Sequence, residues 1–139
     1  MSSPEHHTGG CHCGGVRYVA HGALRPILIC HCHDCMKIIG TSIAATSAPM
    51  ANVEITGDSL KWYQSSDIAE RGFCDICGAS LFYKPLYHQH ISITAGTLDD
   101  ASVLTCGGQI FAHDHPGFMP IPDDVPHIDE KYKAFKNKT

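Results

Sequence analysis

Ile91-Ser92-Ile93-Thr94-Ala95-Gly96 is the stretch that decides the fold class, because Ile91, Ile93 and Ala95 alternate with Ser92, Thr94 and Gly96. Successive side chains of a strand point to opposite faces, so a period of two lays one apolar face on a core. A helix would instead repeat its apolar residues three and four apart. Working outward, segments 41–48, 52–56, 60–64, 80–84, 90–95 and 109–113 show strand-like content between Gly, Pro, Asp or Ser punctuation. Val16 to Ala20 reads as a further strand, and Pro26 to Cys30 as a short apolar run leading into a cysteine cluster. Met36 to Gly40 reads as a brief helical turn closed by its glycine. Many short strands and no sustained helical stripe predict an all-β, mainly antiparallel fold with little helix.

The ends read differently. Residues 1–9 look like a flexible arm, and 116–126, with four prolines, like an extended strap. Residues 129–136 suggest a last helical turn in which Ile128, Tyr132 and Phe135 share a face. No repeat or linker interrupts the chain. The expected organisation is one domain over residues 1–139, with its core at about 9–115 and the strap at 116–139.

Ten Lys plus Arg against fourteen Asp plus Glu give a net charge of −4, which disfavours an electrostatic grip on nucleic acid. No apolar run approaches the roughly 18 to 20 residues that cross a bilayer. The start, MSSPEHHTGG, is polar and lacks the apolar segment of a secretory signal. The expectation is a cytoplasmic protein with neither nucleic-acid nor membrane partners.

Eight Cys and eleven His are the unusual numbers. In a reducing compartment such a cysteine count points to metal or redox chemistry before disulfides. Cys11 and Cys13 form CxC, Cys30, Cys32 and Cys35 form CxCxxC, and Cys74 and Cys77 form CxxC followed by Gly78. In an extended CxC both thiols face one way, and a CxxC achieves the same through a tight turn. Two pairs make a closed four-thiol zinc site, the structural kind; a triad leaves one coordination position for water or substrate, the catalytic kind. Spacing leaves the pairing open, but three thiols within six residues close a site with little loop entropy. That favours Cys11, Cys13, Cys74 and Cys77 for the structural zinc and Cys30, Cys32 and Cys35 for the open one. Two Zn²⁺ per chain are expected, the triad's the more labile. A thioredoxin-like role for the CxxC lacks its strand-then-long-helix context, and the spacings do not match common iron–sulfur runs.

Cys106 reads as a small buried hydrophobe, or else as a fourth ligand that would close the triad. His12, His31 and His33 alternate with the cysteines and so face away from the metal. His88, His90, His113 and His115 are candidate pocket residues, with a structural role as the plainer reading. Lys37 and Arg71 are candidates to grip a carboxylate-bearing ligand, against the plainer reading of solvated charge.

GGCHCGGVRY (9–18), CHCHDCMKIIGTS (30–42), RGFCDICGASLFY (71–83) and ISITAGTLDD (91–100) occur in order. Together they resemble the glutathione-dependent formaldehyde-activating enzyme family, which includes centromere protein V-like proteins, over about residues 9–115. The resemblance implies an Mss4-like fold of twisted antiparallel sheets. It also implies the same division of cysteines between a structural and a catalytic zinc. It further implies a carbon–sulfur lyase or synthase acting on a thiol adduct, such as S-hydroxymethylglutathione formed from glutathione and formaldehyde. The partner would then be a small-molecule thiol, glutathione or similar. The alternative is a zinc-stabilised binding module without catalysis. Two positions depart from the family's pattern: Met36 stands between the triad and Lys37, and segment 115–118 offers Phe118 where relatives often carry Trp.

Overall fold

The computed structural model describes residues 5–128. Ten strands and one short α-helix follow one another as β1 (His6–Gly10), β2 (Arg17–His21), β3 (Ile27–Cys30), α1 (His33–Ile39), β4 (Ile43–Pro49), β5 (Val53–Thr56), β6 (Leu60–Ser66), β7 (Ala69–Cys74), β8 (Ser80–Pro85), β9 (His90–Thr94) and β10 (Cys106–Ile110). They form a three-stranded sheet in the order β1-β2-β5 and a seven-stranded sheet in the order β10-β3-β4-β9-β8-β7-β6. Every pairing is antiparallel except β10 with β3. The fold is thus mostly β and dominated by antiparallel pairing.

Three expectations change here. His6 to Gly10 belong to β1, not to an arm: His and Gly carry weak strand preference, and pairing with β2 from His6↔His21 to Gly10↔Arg17 supplies the order. Segment 109–113 leaves the sheet after Ile110, and the strand begins earlier, at Cys106. Strand β7 was not foreseen at all. The helical turn expected at 129–136, with Tyr132 and Phe135, lies outside the described residues.

The alternation that identified β9 has the predicted consequence. Ile91 and Ile93 are buried in the core with Leu81, Phe82 and Ala48, joined from the smaller sheet by Val16, Tyr18 and Ala20. Tyr18 meets Phe82 edge-on at 5.5 Å, and Phe82 stacks on Trp62 at 6.0 Å. The Tyr18 hydroxyl shares a 2.9 Å hydrogen bond with Thr97, so its polar end is satisfied inside the core.

On the opposite face of the large sheet the described residues leave a cavity. Leu28 and Cys30 of β3, Ile43, Ala45 and Ser47 of β4, His90 and Ser92 of β9, and Tyr83 and Pro85 of β8 line a cavity of about 570 Å³. They are alternate residues on each strand, so one period of two supplies both the core and the cavity.

Candidate metal and thiol site

The sulfurs of Cys11, Cys13, Cys74 and Cys77 all lie within 4.8 Å of one another, as do those of Cys30, Cys32 and Cys35. The eight cysteines are free thiols. The sequence motifs thus sort into a group of four and a group of three.

In the four-thiol group, Cys11 and Cys13 sit in the turn between β1 and β2 rather than in extended chain, which corrects the strand reading of that CxC. Cys74 ends β7, and Cys77 lies in the turn leading to β8. Gly78 takes a φ of 78°, the left-handed region that favours glycine, and lets the chain fold back so that its N–H donates to the Cys74 carbonyl at 2.8 Å. Backbone amides already point at the sulfurs: Val16 N–H to Cys11 Sγ at 3.2 Å and Cys77 N–H to Cys74 Sγ at 3.5 Å. Sulfur separations of 3.6 Å (Cys11 to Cys13) and 3.7 Å (Cys13 to Cys74) are close to the about 3.8 Å edge of a tetrahedron with 2.3 Å zinc–sulfur bonds. The Ser59 hydroxyl and the Cys77 amide lower the Cys74 pKa to about 6, and the Ala79 and Cys13 amides also lower that of Cys77. Cys13 goes the other way, to about 11: the Gly15 amide lowers it, but burial and the other three thiols outweigh that. The donor set and spacing fit a closed thiolate site that clips the two sheets together.

The three-thiol group is assembled by a helix start. Cys30 ends β3, Cys32 is the N-cap of α1 and accepts the Cys35 N–H at 3.3 Å, and Cys35 is buried on the first turn. Gly40, at φ 93°, closes the helix, so the predicted turn is a seven-residue helix starting three residues earlier. Cys32 Sγ lies 3.0 Å from Cys35 Sγ, which lies 3.4 Å from Cys30 Sγ. The Cys32 and Cys35 thiols, with burial, raise the Cys30 pKa strongly. Cys35 rises to about 11, because Cys32, burial and repulsion outweigh the relief given by Cys30 and Arg71. Three sulfurs this close can all ionise only around a cation, so the set fits a soft divalent metal such as zinc. All three line the cavity.

Arg71 is the other functional side chain brought here. It is 6% exposed, points Nη2 at Cys35 Sγ from 3.8 Å, donates Nε–H to Ser65 at 3.3 Å and lies over the Tyr83 ring at 4.8 Å. Sequence proximity to Cys74 is not what places it; β7 carries it across the sheet to the other cysteine group. Lys37 is exposed in the last turn of α1 and is not among the cavity's lining residues. His88 and His90 line the cavity, whereas His113 lies beside Asp114 at 3.4 Å and His115 bonds the Ala112 carbonyl at 2.8 Å. His12 is exposed and His33 approaches Asp114 at 3.8 Å. His31, by contrast, is buried, with Nε2 2.9 Å from the Gln109 side-chain oxygen.

Cys106 is exposed, not buried, and it is no member of either group. It pairs with Ile27 at the start of β3, whereas Cys30 pairs with Ile110 at its end. Three residues of strand, about 10 Å, separate the two ends. A fourth ligand from Cys106 is therefore excluded in this geometry.

What sequence reasoning missed is the cavity wall. Strand register brings Tyr83 and Ile43 into the cavity that the triad lines, and the turn before β7 brings Ile68; the short motifs carry no signal for that.

A sequence model described as glutathione-dependent formaldehyde-activating enzyme matches residues 6–114 of this chain. Among solved structures, the crystal structure of a Rhodobacter sphaeroides protein is similar with a TM-score of 0.57. It is 22% identical, and the likeness covers 66% of this chain and 87% of that one. At that identity the likeness concerns the fold. Among the described residues no helix is long and apolar enough to cross a membrane.

Proposed function

The chain belongs to the glutathione-dependent formaldehyde-activating enzyme family, and from that premise we propose that its three-thiol site makes or breaks a carbon–sulfur bond in a thiol adduct of an aldehyde. One observation carries the reading: three cysteines, with Cys35 Sγ 3.0 Å from Cys32 Sγ and 3.4 Å from Cys30 Sγ, line a cavity of about 570 Å³. Cys30, Cys32 and Cys35 would hold zinc, and Cys11, Cys13, Cys74 and Cys77 a second, structural one. Zinc with three thiolates would supply an open position that favours the deprotonated form of an incoming thiol.

The rest is done by the chain. At about 570 Å³ the cavity has room for a thiol and an aldehyde together. A bond forms between the substrate sulfur and the carbonyl carbon as the π pair moves to oxygen. The proton lost from sulfur is balanced by one gained at oxygen, so a thiol and an aldehyde become a hemithioacetal with no oxidant or reductant. In the reverse direction oxygen loses its proton and the thiol is expelled. Arg71 contributes fixed positive charge beside Cys35, where it offsets the charge of three thiolates and can stabilise the oxygen as charge develops on it.

The test is Cys32→Ser, read by metal content and by NMR detection of the adduct formed from thiol and formaldehyde. One of two zinc ions should be lost together with adduct formation. Unchanged metal content would contradict the ligand assignment; retained turnover would contradict the reaction.

A further inference from the structure

We infer that the thiol this site accepts carries an apolar or aromatic body, in contrast to the charged body of glutathione; the inference rests on the carbon–sulfur reading and narrows its substrate class. The sheet determines what stands next to the three thiols. Strand alternation turns Leu28, Ile43, Tyr83 and Pro85 into the cavity, the turn between β6 and β7 adds Ile68, and β10 ends there with Ile110. At about 570 Å³ the cavity falls in the range that takes a drug-sized molecule. A sulfur and a one-carbon aldehyde would leave most of it unfilled, so the remaining wall is there for the substrate's own carbon skeleton. Apolar carbon gains from leaving water against Leu28, Ile43, Ile68, Pro85 and Ile110, whereas a carboxylate laid on them loses hydration without a partner; Ser47, Ser66 and Ser92 add hydroxyls to the wall but no charge.

The charged groups of the wall do not provide those partners. Arg71 stands beside Cys35, with Nε on Ser65 and its guanidinium over the Tyr83 ring, so its charge serves the three thiols and the reacting oxygen there and not the body of the thiol. Arg25 donates from Nη2 to the Ala45 carbonyl at 2.9 Å and from Nε to the Pro26 carbonyl at 3.2 Å. Asp34 adds a negative charge that opposes a carboxylate. His88 is held below its ordinary pKa, first by burial and then by His90, and so favours its neutral form. Glutathione brings two carboxylates and an ammonium to this wall; a benzyl-type thiol brings none.

Calorimetric titration of the zinc-loaded full chain with benzyl mercaptan and with glutathione tests the inference, alongside NMR detection of each thiol's formaldehyde adduct. Benzyl mercaptan should bind at least about tenfold more tightly. Ile43→Asp should weaken benzyl mercaptan binding at least about tenfold, and unchanged affinity would contradict the apolar wall. Ile68→Asp, in a turn between strands, should do the same and serves if the first variant does not fold. Equal or tighter binding of glutathione, with its adduct formed, would overturn the substrate class and leave the carbon–sulfur chemistry standing. Failure of both thiols to bind or form an adduct would overturn both.

Discussion

The two cysteine groups use the same atoms at similar spacing and differ in what surrounds them. Cys11, Cys13 and Cys77 come from turns and Cys74 from the end of β7, so two different sheets contribute, and none of the four lines the large cavity. Cys30, Cys32 and Cys35 come from one strand-to-helix junction and all line it. The first group has to be brought together by folding, with Cys11 and Cys74 more than sixty residues apart in sequence; the second is nearly local. Metal held at the first group would therefore be coupled to the fold, and metal held at the second to the ligand. Four thiols would complete a metal's coordination where none of them meets the cavity, and three would leave a position open where all of them do.

The strongest way to break the comparison is to substitute one member of each group. Structural zinc contributes roughly 10–16 kcal/mol of apparent folding free energy in small zinc-dependent folds, comparable with a domain's whole stability. Cys11→Ser should therefore yield an unfolded or insoluble chain by circular dichroism, while Cys35→Ser should retain its β signal. Similar behaviour of the two variants would remove the distinction. Next in size, Arg71→Met should lower adduct formation by about 10²-fold with the fold and both metals retained, because a single charge-stabilising donor is typically worth that much. A variant with unchanged turnover would leave Arg71 a structural ion only.

Acidification sharpens the contrast further. A thiol with a lowered pKa stays a ligand to lower pH, and one with a raised pKa is reprotonated at higher pH. In the four-thiol group Cys74 is lowered to about 6 and Cys77 is also lowered, against one raised thiol, Cys13, whereas Cys30 and Cys35 are both raised. As pH falls, zinc should leave the three-thiol group first, visible as two steps in a chromogenic zinc-release titration. Release of both ions in one step, or of the structural ion first, would contradict this.

The smallest effect lies away from both groups. Arg17 pairs with Asp99, whose carboxyl is lowered to about 2 by that pair and the Thr8 hydroxyl. Stability from this pair is present above the ordinary carboxylate pKa and disappears as pH falls through about 2. Both side chains are about half exposed, so Asp99→Asn should cost at most about 1 kcal/mol in denaturant melts near neutral pH.

The molecule is unevenly legible from its sequence, and the reasons are physical. Strand β9 declares itself because Ile91 and Ile93 face a core while Ser92 faces a cavity. Strand β7 hides because Ala69, Arg71, Gly72 and Cys74 are all buried, so no polar face alternates with an apolar one. The cysteine groups are legible because motif spacing nearly determines where their sulfurs go. Cys106 was misread because an isolated cysteine has no spacing to interpret. The cavity wall, and Arg71 on it, depends on register across seven strands, which no local pattern encodes.

X-ray absorption at the zinc edge probes the central asymmetry directly, since it counts sulfur neighbours averaged over both ions. The two-zinc protein should show about 3.5 sulfurs per zinc, rising to about 4 when a thiol substrate is added. A count of 4 before any thiol is added, or one that does not move when it is, would contradict the account.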